Sequence, residues 1–189
     1  MQDGELLLID AGAEYGYYAS DVTRTFPVNG KFSPEQRAIY ELVLKAQEAS
    51  IRAVRPGGTV DDVHMASVRV LTEGMIQLGL LKGTVDEAIE NGSYKAFYMH
   101  RTSHWLGMDV HDVGAYFVDG KARPLQPGFV LTVEPGLYIG KDADVDPKWR
   151  GIGVRIEDDI AVTDTGFHNI TAAIPREVSE IESIMADRG

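Results

Sequence analysis

Leu6-Leu7-Leu8-Ile9-Asp10-Ala11-Gly12 and, after residues 13–19, Ser20-Asp21-Val22-Thr23 read as two strands joined by a tight turn. Leu6–Ile9 is a short continuous apolar run, the pattern of a strand buried on both faces. With Tyr15-Gly16 as the turn, Asp10 falls opposite Asp21. Residues paired on an antiparallel ladder have Cα atoms about 4.5–5.5 Å apart. Two bare carboxylates about 4 Å apart repel by roughly 4 kcal/mol at an effective dielectric of about 20. Such a pair predicts a cation, or a shared proton, between them. Taken alone, it reads equally well as two ordinary acids at a hairpin edge.

Helices follow. Ser33 as N-cap, Pro34 in the first turn and Gln36 completing a capping box predict a helix, with Ile39, Leu42, Val43 and Ala46 on its buried side. Arg55-Pro56-Gly57-Gly58 stops it. Thr59 with Asp62 opens a second helix that buries Val63, Val70, Leu71 and Leu78 and ends near Gly79. Thr84 with Glu87 starts a shorter third one. Beyond Lys95 the pattern turns to strands, at 104–111, 130–134 and 154–162, punctuated by Pro-Gly pairs at 127–128 and 135–136. A short helix over 176–185 closes the chain. No repeat, low-complexity tract or linker interrupts the sequence, so residues 1–189 are expected to form one α+β domain.

Composition narrows the function classes. The 189 residues are 44% hydrophobic and 25% charged, ordinary for a globular protein with a sizeable core. A net charge of −11 argues against a nucleic-acid partner. The longest apolar run falls far short of the roughly 20 residues that span a bilayer, so no membrane partner is expected. Asp3 and Glu5 stand where a secretory signal would carry basic residues. The absence of cysteine excludes disulfides, thiol catalysis and Cys-ligated zinc, and fits a cytoplasmic location.

Four segments carry groups able to do chemistry. Residues 99–112, MHRTSHWLGMDVHD, hold His100, His104 and His111. Thr132-Val133-Glu134-Pro135-Gly136 ends a strand with a carboxylate. Gly153-Val154-Arg155-Ile156-Glu157 puts Arg155 and Glu157 on one strand face, because side chains repeat every two residues. Asp10 and Asp21 complete the set. Through the blocks 8–27, 103–114, 131–138 and 150–159 the chain resembles the catalytic domain of the bacterial aminopeptidase P family, among the pita-bread metallopeptidases that also include prolidase and methionine aminopeptidase.

That resemblance implies a pita-bread fold: a curved, mostly antiparallel sheet with helices on its outer face. It implies five metal ligands, with Asp10 on one ion, His104 and Glu134 on the other, and Asp21 and Glu157 bridging. Four carboxylates supply −4 against +4 from two divalent ions. One imidazole among four carboxylates is an oxygen-rich set suited to manganese, with cobalt, iron, magnesium or zinc as alternatives. The implied reaction is hydrolysis of the bond before a proline in second position by a hydroxide bridging the two metals. Glu134 would shuttle the proton, His111 would stabilise the oxyanion, His100 would contact the peptide, and Arg155 would orient the surrounding carboxylates.

The same resemblance leaves a dipeptidase of the prolidase type, a non-catalytic peptide-binding module or an inactive fragment as alternatives. Arg101 departs from the glycine usual at that position; a long cation there either narrows the pocket or binds a substrate carboxylate. The abrupt start at Leu6 predicts that the first part of the fold, with the family's N-terminal domain, lies upstream. The uncovered apolar face would then favour homo-oligomers. Asp158 and Asp159 read as solvated or capping acids, His64 and His168 as surface or packing residues, and Trp105 as a pocket wall or core residue.

Overall fold

The computed structural model describes residues 1–186; residues 187–189 of the expected domain lie outside the described residues. In chain order the elements are β1 (Leu6–Ala11), β2 (Glu14–Tyr15), β3 (Tyr18–Ala19), β4 (Val22–Pro27), α1 (Pro34–Ala53), α2 (Val60–Gln77), α3 (Val85–Glu90), β5 (Phe117–Val118), β6 (Lys121–Ala122), β7 (Val130–Val133), β8 (Gly136–Tyr138), β9 (Gly153–Arg155), β10 (Asp158–Val162), β11 (Phe167–Asn169) and α4 (Val178–Ala186). Every strand pairing is antiparallel. No helix among the described residues is long and apolar enough to cross a membrane.

The opening hairpin differs from its expected register. Tyr15 pairs with Tyr18, so the turn is Gly16-Tyr17. Both turn residues have positive φ, 59° and 72°, which a two-residue hairpin of type I′ requires. Shifting the turn by one residue moves Asp10 opposite Thr23 rather than Asp21. Asp21 falls on the diagonal, just before β4, and its carboxyl still reaches that of Asp10. The apolar run is also less covered than expected. β1 pairs with β4 alone, leaving Leu6, Leu7 and Leu8 half-buried and Ile9 exposed.

The second ladder explains where two further carboxylates come from. β7 pairs with β10, and β8 with β9, in one continuous register. Glu134-Pro135 and Ile156-Glu157 interrupt both strands at the same level. Pro135 has no N–H to give the ladder, and the Glu157 N–H instead reaches across to the Thr23 carbonyl at 3.1 Å. Glu134 and Glu157 therefore face each other at the break. This is why the strand expected over 154–162 is two strands. The strand expected over 104–111 is corrected too. Trp105 makes one bridge to Leu131, and beyond it the chain folds back, with the Asp112 N–H on the Trp105 carbonyl at 3.0 Å. A side chain at Gly107 would collide with the Asp112 carboxylate where it now stands, so glycine there lets the fold-back close with Asp112 in this position.

All three predicted capping boxes form, at Ser33–Gln36, Thr59–Asp62 and Thr84–Glu87. Helix α1 buries Ile39, Leu42, Val43 and Ala46 as expected. On α2, Val63 and Leu71 are buried while Val70 and Leu78 are half-covered. The core brings α1 and α2 against β8 and β9 through Tyr40, Leu71, Leu137, Val154 and Ile156.

Asp158 and Asp159 are not solvated. Asp158 is fully buried and accepts from Arg24, Gln47, Asn169, Thr171 and Arg176. Asp159 is buried on β10, where its Oδ2 accepts the Asp21 N–H at 3.2 Å. An i+1 pair of acids is a poor sign of exposure when both side chains have fixed donors waiting.

Candidate metal centre

Each ligand-type residue is delivered by a different local feature. Asp10 lies on β1, and Asp21 at the entry to β4. His104 sits where the chain joins the edge of β7, its N–H on the Thr132 hydroxyl and its carbonyl accepting from the Thr132 N–H at 3.0 Å. Glu134 and Glu157 stand at the ladder break. Asp21, His104 and Glu157 each offer a ligand atom within 4.8 Å of the others. His104 Nε2 is 3.4 Å from both Asp21 Oδ2 and Glu134 Oε1. His104 Nδ1–H donates to the Trp105 carbonyl at 3.0 Å, which leaves Nε2 as the nitrogen facing the carboxylates.

The electrostatics call for positive charge. Burial, then the Glu134 charge, pushes the Glu157 carboxyl up to about 9, against a hydrogen bond from Thr23. Burial likewise raises Glu134 to about 7, opposed by Arg155. Asp21 is raised by burial and by Asp10. Glu157 Oε1 is buried and has no hydrogen-bond partner, while Oε2 takes the Thr23 hydroxyl. A buried carboxylate oxygen without a donor normally costs free energy, and a cation at that spot removes the cost. Oxygen-rich donors, an orphaned acceptor and an imidazole lone pair on one centre fit divalent metal ions.

Arg155 is the local counter-ion. It pairs with Asp10, donates to Thr23 Oγ1 at 3.0 Å and to the Tyr138 hydroxyl at 3.4 Å, and stands 4.0 Å from Glu134. His111 packs edge-on against His104, ring centres 4.3 Å apart. His100 donates from Nδ1 to the Arg101 carbonyl and accepts the Tyr138 hydroxyl at Nε2, both at 2.8 Å. A cavity of about 770 Å³ opens over the centre, lined by His100, Arg101, His104, His111, Glu134 and Arg155 with Tyr116 and Phe117. His100, His104, His111, Glu134 and Arg155 thus line one cavity, Asp21 and Glu157 meet at His104, and Asp10 stands outside that triad, half-exposed and paired with Arg155. Trp105 is buried and stacks on Tyr116, and His168 is exposed.

Thr23, Tyr138 and Thr102 escaped the sequence reading. Thr23 falls beside Asp10 only in the observed hairpin register, which the sequence left open. Thr102 is fully buried; its hydroxyl meets His64 Nδ1 at 2.8 Å, Ser67 Oγ at 2.7 Å and the Tyr98 hydroxyl, while its carbonyl accepts the Glu134 N–H at 2.8 Å. His64 is thus a packing residue with a polar task.

A family model described as metallopeptidase family M24 matches residues 1–164. The chain belongs to metallopeptidase family M24. As an M24 chain it has the α+β pita-bread fold. It is 55% identical over 185 residues to an Xaa-Pro aminopeptidase of Escherichia coli, covering 98% of this chain and 42% of that protein. It is 40% identical to the mitochondrial intermediate cleaving peptidase 55 of Arabidopsis thaliana, covering 98% and 36%. The structure of Pseudomonas aeruginosa aminopeptidase PepP superimposes with a TM-score of 0.97 at 59% identity, over 98% of this chain and 42% of that one. This M24 chain thus spans about two fifths of the length of the relatives it matches.

Proposed function

We propose that this chain carries the catalytic centre of a metal-dependent aminopeptidase that removes the residue preceding a proline in second position. The observation that carries the reading is the gathering of Asp21, His104 and Glu157 around an orphaned Glu157 oxygen, with Glu134 beside His104 Nε2 and the Asp10 charge acting on Glu157. The names of the relatives support the substrate class.

Asp10, Asp21, His104, Glu134 and Glu157 would hold two divalent ions, manganese being the best match to the donor set, which supply Lewis acidity and an activated water. Glu134, beside His104 Nε2, takes up a proton and returns it to the leaving nitrogen. His111 donates to the oxygen that develops negative charge. Arg155 holds Asp10 and Thr23 in place and, through Tyr138, fixes the ring of His100 toward the cavity. Tyr116 and Phe117 give the cavity the apolar surface a pyrrolidine ring needs. The lack of cysteine supports work in a reducing cytoplasm.

The test is calorimetric titration of manganese into chelator-stripped protein, followed by incubation with Ala-Pro-Ala. Two ions bound per chain and release of alanine are expected, with Glu134→Gln abolishing release. A chain that binds no manganese, or cleaves Ala-Ala-Ala as readily, would remove the reading. Cleavage of the dipeptide Ala-Pro alone would shift it to a prolidase.

A further inference from the structure

The surroundings of the candidate centre are electrically lopsided. On one side Asp10, Asp21 and Glu14 line a hollow of about 330 Å³. On the other, the main cavity carries Arg101 and Arg155. Beyond Arg101 a further hollow of about 350 Å³ shares His100 and Arg101 with the main cavity and is edged by Lys95. In a chain of net charge −11, a rim with this sign stands out.

A peptide held with its first carbonyl at the centre has two distinguishable ends. With Asp10 and Asp21 neutralised by the ions they would hold, Glu14 still gives the first side a negative charge that draws the ammonium group, so the downstream part lies toward the basic rim. Arg155 is already engaged by Asp10, Thr23 and Tyr138. Arg101 is not. Its side chain is 56% exposed, and among the described residues its acidic partner is Asp61, in the first turn of α2, met through a single Nη2. An exposed pair of this kind holds weakly, and a guanidinium has five donors in a planar fork that matches a carboxylate. Asp61 thus steadies Arg101 at the cavity mouth without using up its donors.

We propose that Arg101 is a specificity-determining residue that binds a carboxylate downstream of the substrate's proline, the free C-terminus of a tripeptide being the smallest case. The inference rests on the peptidase reading above. It makes dipeptides poor ligands, because their carboxylate belongs to the proline itself and lies nearer the centre.

The test uses a reduced analogue of Ala-Pro-Ala, with CH2 in place of the first carbonyl so that it cannot be hydrolysed. It is prepared as the free acid and as the C-terminal amide. Each is titrated calorimetrically into the manganese-loaded chain, its Arg101→Gln variant and its Arg101→Lys variant. The unmodified chain is expected to bind the acid about ten-fold more tightly than the amide, the scale of a charged hydrogen bond. Arg101→Gln should bring the ratio near one, and Arg101→Lys should restore part of it. A ratio near one in the unmodified chain overturns the proposal. So does a ratio that Arg101→Gln leaves unchanged, including the case in which that variant only melts earlier, since Arg101 then merely ties its segment to α2. If neither analogue binds at millimolar concentration, the peptide reading falls and takes the Arg101 proposal with it. Manganese stoichiometry, measured beforehand, separates that result from failure of Arg101 alone.

Discussion

Replacing Asp158 by alanine should be among the most costly single changes in the chain. Its fully buried carboxylate accepts from Arg24 Nη2 at 2.8 Å, Thr171 Oγ1 at 2.9 Å, and Gln47, Asn169 and Arg176 at 3.0 Å each. Arg24 is itself only 4% exposed and donates onward to the carbonyls of Thr23, Glu157, Ile174 and Pro175. Deleting the carboxylate leaves Arg24 charged in the interior without its counter-ion. Breaking a buried pair in this way costs about 3–5 kcal/mol. For a chain of this length each kcal/mol moves Tm by about 2–4 °C, so a fall of roughly 6–20 °C is expected. Glu41→Ala provides the contrast. It breaks the Arg37–Glu41 pair, of similar length but half-exposed on both sides, and should cost under about 1 kcal/mol. Circular-dichroism melts of both variants at pH 7.5, with urea unfolding for the free energies, make the comparison. Equal Tm shifts for the two variants would refute the argument, because Asp158 is buried among five donors while Glu41 meets one exposed arginine. Arg24 also grips the Glu157 carbonyl, so Asp158→Asn should weaken manganese binding even where the fold survives.

Three further outcomes follow from the same geometry. Burial, reinforced by Arg101, lowers the His64 pKa from 6.5 to about 4. The unfolded chain therefore binds the extra proton between those values, and stability should fall as pH drops from about 6.5 toward 4, by at most about 3 kcal/mol. Urea midpoints at pH 7.5 and 5 should show this slope, and His64→Gln should flatten it. Thr102→Val leaves His64, Ser67 and Tyr98 short of a buried partner, at about 1–3 kcal/mol. Valine keeps the backbone carbonyl that accepts the Glu134 N–H, so calorimetry should report manganese binding little changed while urea unfolding reports the loss of stability, which Thr102→Ser restores. Manganese at a hundred times its Kd should stabilise the chain by about 2.7 kcal/mol; a Tm that chelator leaves unchanged would disprove the clustered site.

Local signals were readable from the sequence wherever a short segment decides its own conformation. Ser33–Gln36, Thr59–Asp62 and Thr84–Glu87 each satisfy backbone donors within one turn, so they mark helix starts whatever packs against them. The hairpin was legible as a hairpin, but not its register. Tyr15-Gly16 and Gly16-Tyr17 both offer a glycine, and only the pairing of β1 with β4 selects between them. The five positions proposed as ligands stood out as a set through the motifs surrounding them.

What tertiary structure alone decided is the company those residues keep. Segment 104–111 has strand composition, but β7 offers an edge only as far as Leu106, so the rest folds back on Gly107. Asp158 and Asp159 look like surface acids until Arg24, Gln47 and Arg176 reach the first and the Asp21 N–H the second, each from more than ten residues away in sequence. Thr23, Thr102 and Tyr138 are ordinary residues whose hydroxyls matter only because Glu157, His64 and His100 come to rest against them. The sequence determined the chemistry available and the local turns and caps, because these depend on neighbours a few residues apart. Burial, and with it the charge balance at the centre, is a property of the assembled fold, because desolvation is set by every segment packed around a group at once.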